Sequence, residues 1–164
     1  MKIKLLVFLL FIGLAATSQN LDRVVGLRNG KGMNFTYQHF FTYSEDIKAF
    51  LSFRDRGIQI TAVVEHYEPV LENFRDQFYV YYGAGLHAGV TKSDYSKYNS
   101  AWSDPVYSRT KPVFGIDAIC GIEYRVQPVP LSFGIDYKPF FEFWGQRIFY
   151  MSMNDFALTI KYQF

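Results

Sequence analysis

The segment Asn154-Asp-Phe-Ala-Leu-Thr-Ile-Lys-Tyr-Gln-Phe164 decides the fold of this 164-residue chain. From Phe156 onward its even-numbered residues are bulky and apolar or aromatic, whereas its odd-numbered residues are small or polar. A period of two indicates a β-strand, because successive side chains of a strand point to opposite faces of the sheet. An unbroken apolar face that reaches an aromatic last residue is typical of a strand with lipid on one side and a packed or wet interior on the other.

The same alternation recurs in seven earlier segments and predicts an all-β chain without helices. These predicted strands are Leu21–Arg28, Met33–Phe40, Ile47–Arg54, Ile58–Glu65, Phe78–Val90, Phe114–Arg125 and Leu131–Lys138. The later ones approach the roughly 9–11 residues that a tilted strand needs to cross a bilayer. Together with the last segment they predict an eight-stranded antiparallel up-and-down transmembrane β-barrel.

The connections between these strands differ in length and chemistry. Asn29–Gly32 is predicted to be a tight turn, because an Asn-Gly pair supplies the positive φ angles that hairpins prefer. Tyr43–Asp46 is predicted to interrupt the alternation, and Phe140–Met153 to form an aromatic loop. The longest irregular stretch is 91–111, whereas residues 127–130 make a short turn.

Residues 1–18 have the pattern of an export signal, which leaves residues 19–164 as the barrel. A basic start with Lys2 and Lys4 precedes an apolar run from Leu5 to Ala16 that is too short to span a bilayer as a helix. Cleavage after Ser18 would reduce the 17 basic residues by two and match them to the 15 acidic ones. A neutral chain argues against a nucleic-acid partner. A single Cys excludes a disulfide framework and a Cys-based metal site, and no cofactor is expected.

The polar face of the predicted strands favours a membrane barrel over a soluble lipocalin-like carrier. Glycine weakens a water-facing strand, but it makes room for long side chains inside a narrow barrel. Charges of both signs share this face and are expected to pair across the lumen. The glycines are Gly83, Gly85, Gly89, Gly115, Gly121 and Gly134, and the predicted lumen network is Arg28, Lys48, Arg54, Glu65, His87, Asp117, Glu123, Arg125, Asp136, Lys138 and Lys161.

The sequence resembles small outer-membrane β-barrel proteins of Gram-negative bacteria, and in detail uncharacterised barrels of Bacteroidetes. The resemblance rests on the signal, the eight alternating segments, Tyr82-Gly-Ala-Gly85, Gly121-Ile-Glu-Tyr124 and the ending Ala157–Phe164. It implies an outer-membrane location with lipid as the surroundings and both termini in the periplasm. It also implies that Tyr162 and Phe164 are recognised by the barrel-assembly machinery. It implies no activity, because barrels of this shape have many unrelated roles.

The expected role is structural or surface-binding, without catalysis. Candidate contact residues for an unknown surface ligand are the aromatic residues of the long loop, Tyr95, Tyr98, Trp102 and Tyr107. A narrow pore and a lipid-modifying enzyme remain alternatives. His87 could act as a base beside a lumen carboxylate, but no nucleophilic serine can be placed in register with it.

Overall fold

A computed structural model describes residues 22–54, 56–71, 77–95, 107–144 and 149–164, with only the backbone at Arg54, 93–95 and 107–109. The predicted export signal lies outside the described residues. Within these ranges, no helix is long and apolar enough to cross a membrane.

Ten β-strands make up most of the described chain. They are β1 (Arg23–Asn29), β2 (Met33–Phe40), β3 (Glu45–Arg54), β4 (Gly57–Pro69), β5 (Phe78–Tyr95), β6 (Tyr107–Val126), β7 (Leu131–Tyr137), β8 (Phe140–Trp144), β9 (Tyr150–Ser152) and β10 (Phe156–Gln163). Both β7 and β8 pair with β6, and β9 pairs with β8, so β7–β8 and β9–β10 act as two interrupted strands. Pro139 lies at the first interruption, where it cannot donate a ladder hydrogen bond.

The strands close into a barrel with eight strand positions, here called staves, because β7–β8 and β9–β10 each occupy one position. Each stave pairs antiparallel with its sequence neighbours, and β1 closes the ring by pairing with β10. The paired residues include Val25 with Tyr162 and Leu27 with Ile160. Closure satisfies the backbone groups that an open sheet edge would leave unpaired. The predicted eight-stranded antiparallel up-and-down barrel is therefore confirmed.

The two ends of the barrel differ. The end that holds both termini, here called the terminal end, carries the connections 41–44, 70–77 and 127–130. At the opposite end the β5–β6 hairpin continues past its neighbours, with pairing as far as Tyr95 and Tyr107. The adjacent strand β4 begins only at Gly57. The hairpin therefore projects beyond the opposite rim as a two-stranded ribbon.

Four predictions about the connections are wrong. The stretch 91–111 is not irregular throughout, because β5 continues to Tyr95 and β6 begins at Tyr107. Glu45 and Asp46 belong to β3, where Asp46 points inward, because the alternation continues through this acidic pair. Much of the predicted loop Phe140–Met153 forms β8 and β9. No described glycine has a positive φ, so Gly30 does not make the expected left-handed turn. The described left-handed residues in the connections are instead Arg56 between β3 and β4, Leu71 between β4 and β5, and Phe149 between β8 and β9, with φ of 54°, 96° and 57°.

Side chains divide cleanly between the two faces of the wall. The inward set is polar or charged at most positions, and the outward set is large and apolar. The interior also contains a compact apolar cluster, formed by Phe50, Val63, Tyr67, Tyr81 and Ile119.

Candidate functional site: the charged interior

The charges predicted for the lumen lie inside the barrel. Of the eleven residues, nine have almost completely buried side chains, and Arg125 is partly exposed near the terminal end. The side chain of Arg54 lies outside the described residues. The nine are Arg28, Lys48, Glu65, His87, Asp117, Glu123, Asp136, Lys138 and Lys161.

Arg28 anchors a cluster that joins β1 to the last two staves. Its guanidinium lies 2.7 Å from the Asp136 carboxylate, and its Nη1 lies 3.2 Å from Asp155. The Tyr81 hydroxyl donates to the other oxygen of Asp136 at 3.4 Å. Each acid comes from a different stave, so the cluster forms only when the barrel closes. Asp155 was missing from the predicted network, because it lies at the interruption between β9 and β10.

A second cluster near the opposite end contains His87. Its Nδ1 lies 2.5 Å from Asp117 Oδ2, and Lys138 Nζ donates to Asp117 Oδ1 at 2.5 Å. The ring of Phe140 meets the imidazole edge-on, with centroids 5.8 Å apart. Gly115 on the neighbouring strand makes room for the ring, since a Cβ there would lie 2.6 Å from His87 Nε2. This small interior residue therefore makes room for a side chain of the adjacent strand, whereas the sequence predicted room for side chains across the lumen.

The terminal half of the lumen holds three further ion pairs. Lys48 pairs with Glu65 at 2.5 Å, and Glu123 accepts from Lys161 at 2.5 Å and from Arg125 at 2.9 Å. The Arg125 guanidinium also lies 4.0 Å from the centre of the Tyr79 ring. An unpaired buried charge would cost several kcal/mol, so mutual pairing is what lets these groups occupy the interior.

Two tyrosines of the apolar cluster contact the charged side chains around them. The rings of Tyr67 and Tyr81 stack with centroids 5.0 Å apart, and Tyr81 is fully buried. Lys48 and Lys161 lie over the Tyr81 ring at 4.7 and 4.9 Å. Lys161 also donates to the Tyr67 hydroxyl at 3.1 Å. These aromatic rings pack against charged side chains inside the lumen, and we call the cluster of Phe50, Val63, Tyr67, Tyr81 and Ile119 the septum.

Gln38 and Asp46 extend the terminal cluster and were not predicted. The Gln38 amide donates to Asp46 Oδ2 and, at 2.9 Å, to the Tyr67 hydroxyl. The alternation in the sequence predicts an interruption at Asp46 and a fourth strand that ends at Glu65, although β4 continues through Tyr67 to Pro69. Continuing the inward parity across both predicted strand ends would have found Asp46 and Tyr67.

His87, the candidate base, is enclosed in the interior. His87 Nε2 has no hydrogen-bond partner in the described part of the chain, and the His87 and Asp117 side chains are completely inaccessible. His66 lies on the outer wall, where its ring packs 5.6 Å from that of Tyr82. Across the described ranges, no group of three His, Cys, Asp or Glu residues is arranged to hold a metal ion.

The other predicted sites lie at the two ends. The rings of Tyr162 and Phe164 stack 6.4 Å apart at the terminal end, and the Phe164 amide donates to the Arg23 carbonyl at 2.8 Å. Of the loop candidates, Tyr95 and Tyr107 pair through their backbones at the tip of the ribbon. Their side chains, and Tyr98 and Trp102 entirely, lie outside the described residues.

Comparisons with protein-family models and with curated proteins find no match for this chain. Among solved structures, it is similar to the crystal structure of the N-terminal β-barrel domain of Pseudomonas aeruginosa OprF. The sequence identity is 13% and the TM-score 0.48, over 87% of this chain and 95% of the OprF domain.

Proposed function

We propose that this protein is an integral outer-membrane β-barrel with a plugged polar lumen, and that its role is structural or surface-binding. The observation that carries the proposal is the inverted distribution of side chains. Outward residues such as Leu86 and Leu158 are 66% and 64% exposed, whereas Arg28 and Lys161 inside are 1% and 3% exposed. Soluble monomers rarely expose apolar patches above a few hundred Å². Lipid is the solvent that suits this outer wall.

The proposed location follows from barrel geometry and from the predicted export signal. An even number of staves brings both termini to one end, which in bacterial outer-membrane barrels is the periplasmic end. The projecting β5–β6 ribbon would then face the outside of the cell. Under this proposal, the barrel-assembly machinery recognises Tyr162 and Phe164 at the periplasmic rim.

A closed lumen is proposed over a narrow pore. The septum is contacted by the ion-paired Lys48 and Lys161, and its Phe50 and Tyr81 side chains are 1% and 0% exposed. Ions would have to displace packed aromatic rings to pass. Planar-bilayer recordings of the purified barrel should therefore remain silent. Steady single-channel steps would support the pore instead.

A non-catalytic role is proposed over lipid modification. The support is the buried His87–Asp117 pair, whose second ring nitrogen has no hydrogen-bond partner among the described residues. A general base has to reach the proton that it removes. Lipid A mass spectra should be identical with and without the gene, and a changed acyl or phosphate pattern would favour the enzyme.

The first experiment addresses the barrel in its membrane. Expressed with its leader, the protein should sediment with outer membranes, require detergent for extraction, and migrate differently on a gel before and after boiling. A detergent-free monomer in the soluble fraction would overturn the membrane proposal in favour of a secreted carrier. Alanine variants at Trp102 and Tyr98 in a cell-surface binding assay then test the loop role, with loss of binding as the expected result.

A further inference from the structure

The lumen has a small polar pocket near the opposite end of the barrel. The pocket lies between the β1–β2 turn, the adjoining ends of β3 and β4, and the interruptions of the last two staves. Its volume is about 10 Å³, roughly the least that a guest the size of one water molecule requires. The lining residues are Lys31, Gly32, Asn34, Ser52, Gln59, Lys138 and Asp155.

Two buried side chains of the pocket have polar groups without a hydrogen-bond partner among the described residues. They are Ser52 and Gln59, which are 6% and 8% exposed and lie opposite each other on β3 and β4. Asn34, the next residue in the same row, differs because its amide donates to the carbonyls of Arg28 and Gly32. Buried polar groups rarely stay unpaired in folded proteins. The Ser52 hydroxyl and the Gln59 amide therefore indicate a polar guest.

Two of the three charged residues in the lining have partners of opposite charge inside the barrel. Lys138 Nζ donates to Asp117 Oδ1 at 2.5 Å. Both oxygens of Asp155 accept from Arg28 Nη1 at 3.2 Å, and its Oδ1 also accepts from the Lys31 amide at 3.1 Å. Neither Lys138 nor Asp155 therefore brings an unpaired charge to the pocket.

The side chain of Lys31, the third charged residue, has no such partner. Its Nζ donates at 2.6 Å to the hydroxyl of Ser152, which is neutral and buried. Among the described residues, no carboxylate lies within ion-pair distance of this ammonium group. The Nζ atoms of Lys31 and Lys138 lie 5.8 and 5.5 Å from the centre of the same Phe140 ring. Two cations thus converge on one part of the lumen, and one of them lacks a counter-charge at contact distance.

A small anion suits these features better than a cation or a water molecule. An anion offsets the ammonium charge of Lys31 and accepts hydrogen bonds from the Ser52 hydroxyl and the Gln59 amide, and such charge-assisted bonds are stronger than neutral ones. Sulfate, phosphate and organic carboxylates are too large for the pocket. Chloride is only slightly larger than water, and the exposed stem of Lys31 can move outward to admit it.

We propose that this pocket binds one chloride ion between the Lys31 ammonium group, the Ser52 hydroxyl and the Gln59 amide. The ion joins the β1–β2 turn to the neighbouring β3–β4 hairpin and so helps to close the lumen at the opposite end. The proposal goes beyond the proposed function and does not depend on the membrane location, because interior side chains and one turn form the site.

The test measures chloride binding to the whole barrel, purified in a non-ionic detergent. Exchange with a protein site broadens the NMR line of free chloride. The wild type should show this excess line width, and bromide added in competition should remove it. A wild type without excess width, or with a width that bromide leaves unchanged, would overturn the proposal and leave the pocket as a water site.

Three variants assign the binding to the pocket. Lys31→Met keeps the length of an exposed side chain without its charge, and the excess width should fall close to that of buffer. Ser52→Ala removes one donor to the ion and should weaken binding roughly 10- to 100-fold. Lys92→Met is the matched control, because Lys92 is an exposed lysine at the same end but outside the lining, and it should bind as the wild type does. Undiminished binding by folded Lys31→Met and Ser52→Ala, or equal loss in Lys92→Met, would overturn the proposal.

Crystals of the barrel soaked in bromide locate the ion. An anomalous peak within hydrogen-bond reach of Ser52 and Gln59 is the expected result. Peaks confined to the outer surface would mean an adventitious ion only and would contradict the site. Every variant is also examined for the boiling-dependent gel shift and for detergent dependence. A barrel that binds chloride but needs no detergent contradicts the membrane proposal alone, whereas a detergent-dependent barrel that binds no chloride contradicts only the site.

Discussion

Leu158→Arg places a charge at the centre of the proposed lipid-facing wall. Leu158 is 64% exposed and lies four residues before Tyr162 on the last stave. A strand tilted by about 40° advances roughly 2.5 Å along the barrel axis per residue, so Leu158 lies roughly 10 Å from the Tyr162 level, near the middle of an apolar band about 25 Å tall. Arginine at that depth costs about 2–4 kcal/mol. In water, the same exposed substitution would change the stability by less than about 0.5 kcal/mol.

The assay is equilibrium unfolding by urea of the barrel inserted in lipid vesicles. At about 1.4 kcal/mol per tenfold, the expected loss lowers the ratio of folded to unfolded protein roughly 30- to 700-fold. Val129→Arg is the control, because Val129 is also exposed but lies in a terminal-end turn, where the cost should not exceed about 1 kcal/mol. If Leu158→Arg and Val129→Arg lower the stability equally, the central wall does not face lipid.

Three further predictions concern the interior and the last residue. Arg28→Ala leaves Asp136 buried without its cation and should cost about 3–5 kcal/mol in the same unfolding assay; a loss below 1 kcal/mol would contradict the structural role of the pair. Tyr67→Ala with Tyr81→Ala removes the stacked rings of the septum and should produce conductance in planar bilayers, whereas a trace as silent as the wild type would locate the barrier elsewhere. Deletion of Phe164 should reduce assembled barrel in the membrane at unchanged transcript level, and normal assembly would refute its role as a signal.

The sequence predicted which side of the wall most residues occupy. Alternation is a local property of a strand, so Lys161 and Glu123 could be assigned to the interior without knowing their neighbours. Their contact could not be predicted, because it depends on how far each strand is shifted along the next around a closed ring. The same holds for Arg28 and Asp136, which are 108 residues apart in sequence and 2.8 Å apart in the barrel.

The strand β8 and the inward position of Asp46 were not identified from the sequence, and both omissions have the same physical cause. In Phe140-Phe-Glu-Phe-Trp144, aromatic residues occupy both parities, so the inward Phe140 and the outward Phe143 hide the period of two. Asp46 follows Ser44 and Glu45, a composition that usually marks a turn. In both cases the packing of the whole barrel determines the structure, and the local sequence signal is overridden.

The pairing of β1 with β10, which closes the barrel, has to come after the pairing of sequence neighbours during folding. It joins strands from the two ends of the chain, such as Val25 with Tyr162, so these two residues cannot pair with each other until the final strand exists. Closing a loop of more than a hundred residues costs about 4 kcal/mol in chain entropy, against about 2 kcal/mol for a ten-residue hairpin. The hairpins can therefore form one after another before β1 and β10 pair and close the barrel. The Arg28 cluster joins β1 to the last two staves from inside the barrel. It can therefore be completed only when the curved sheet closes into a cylinder.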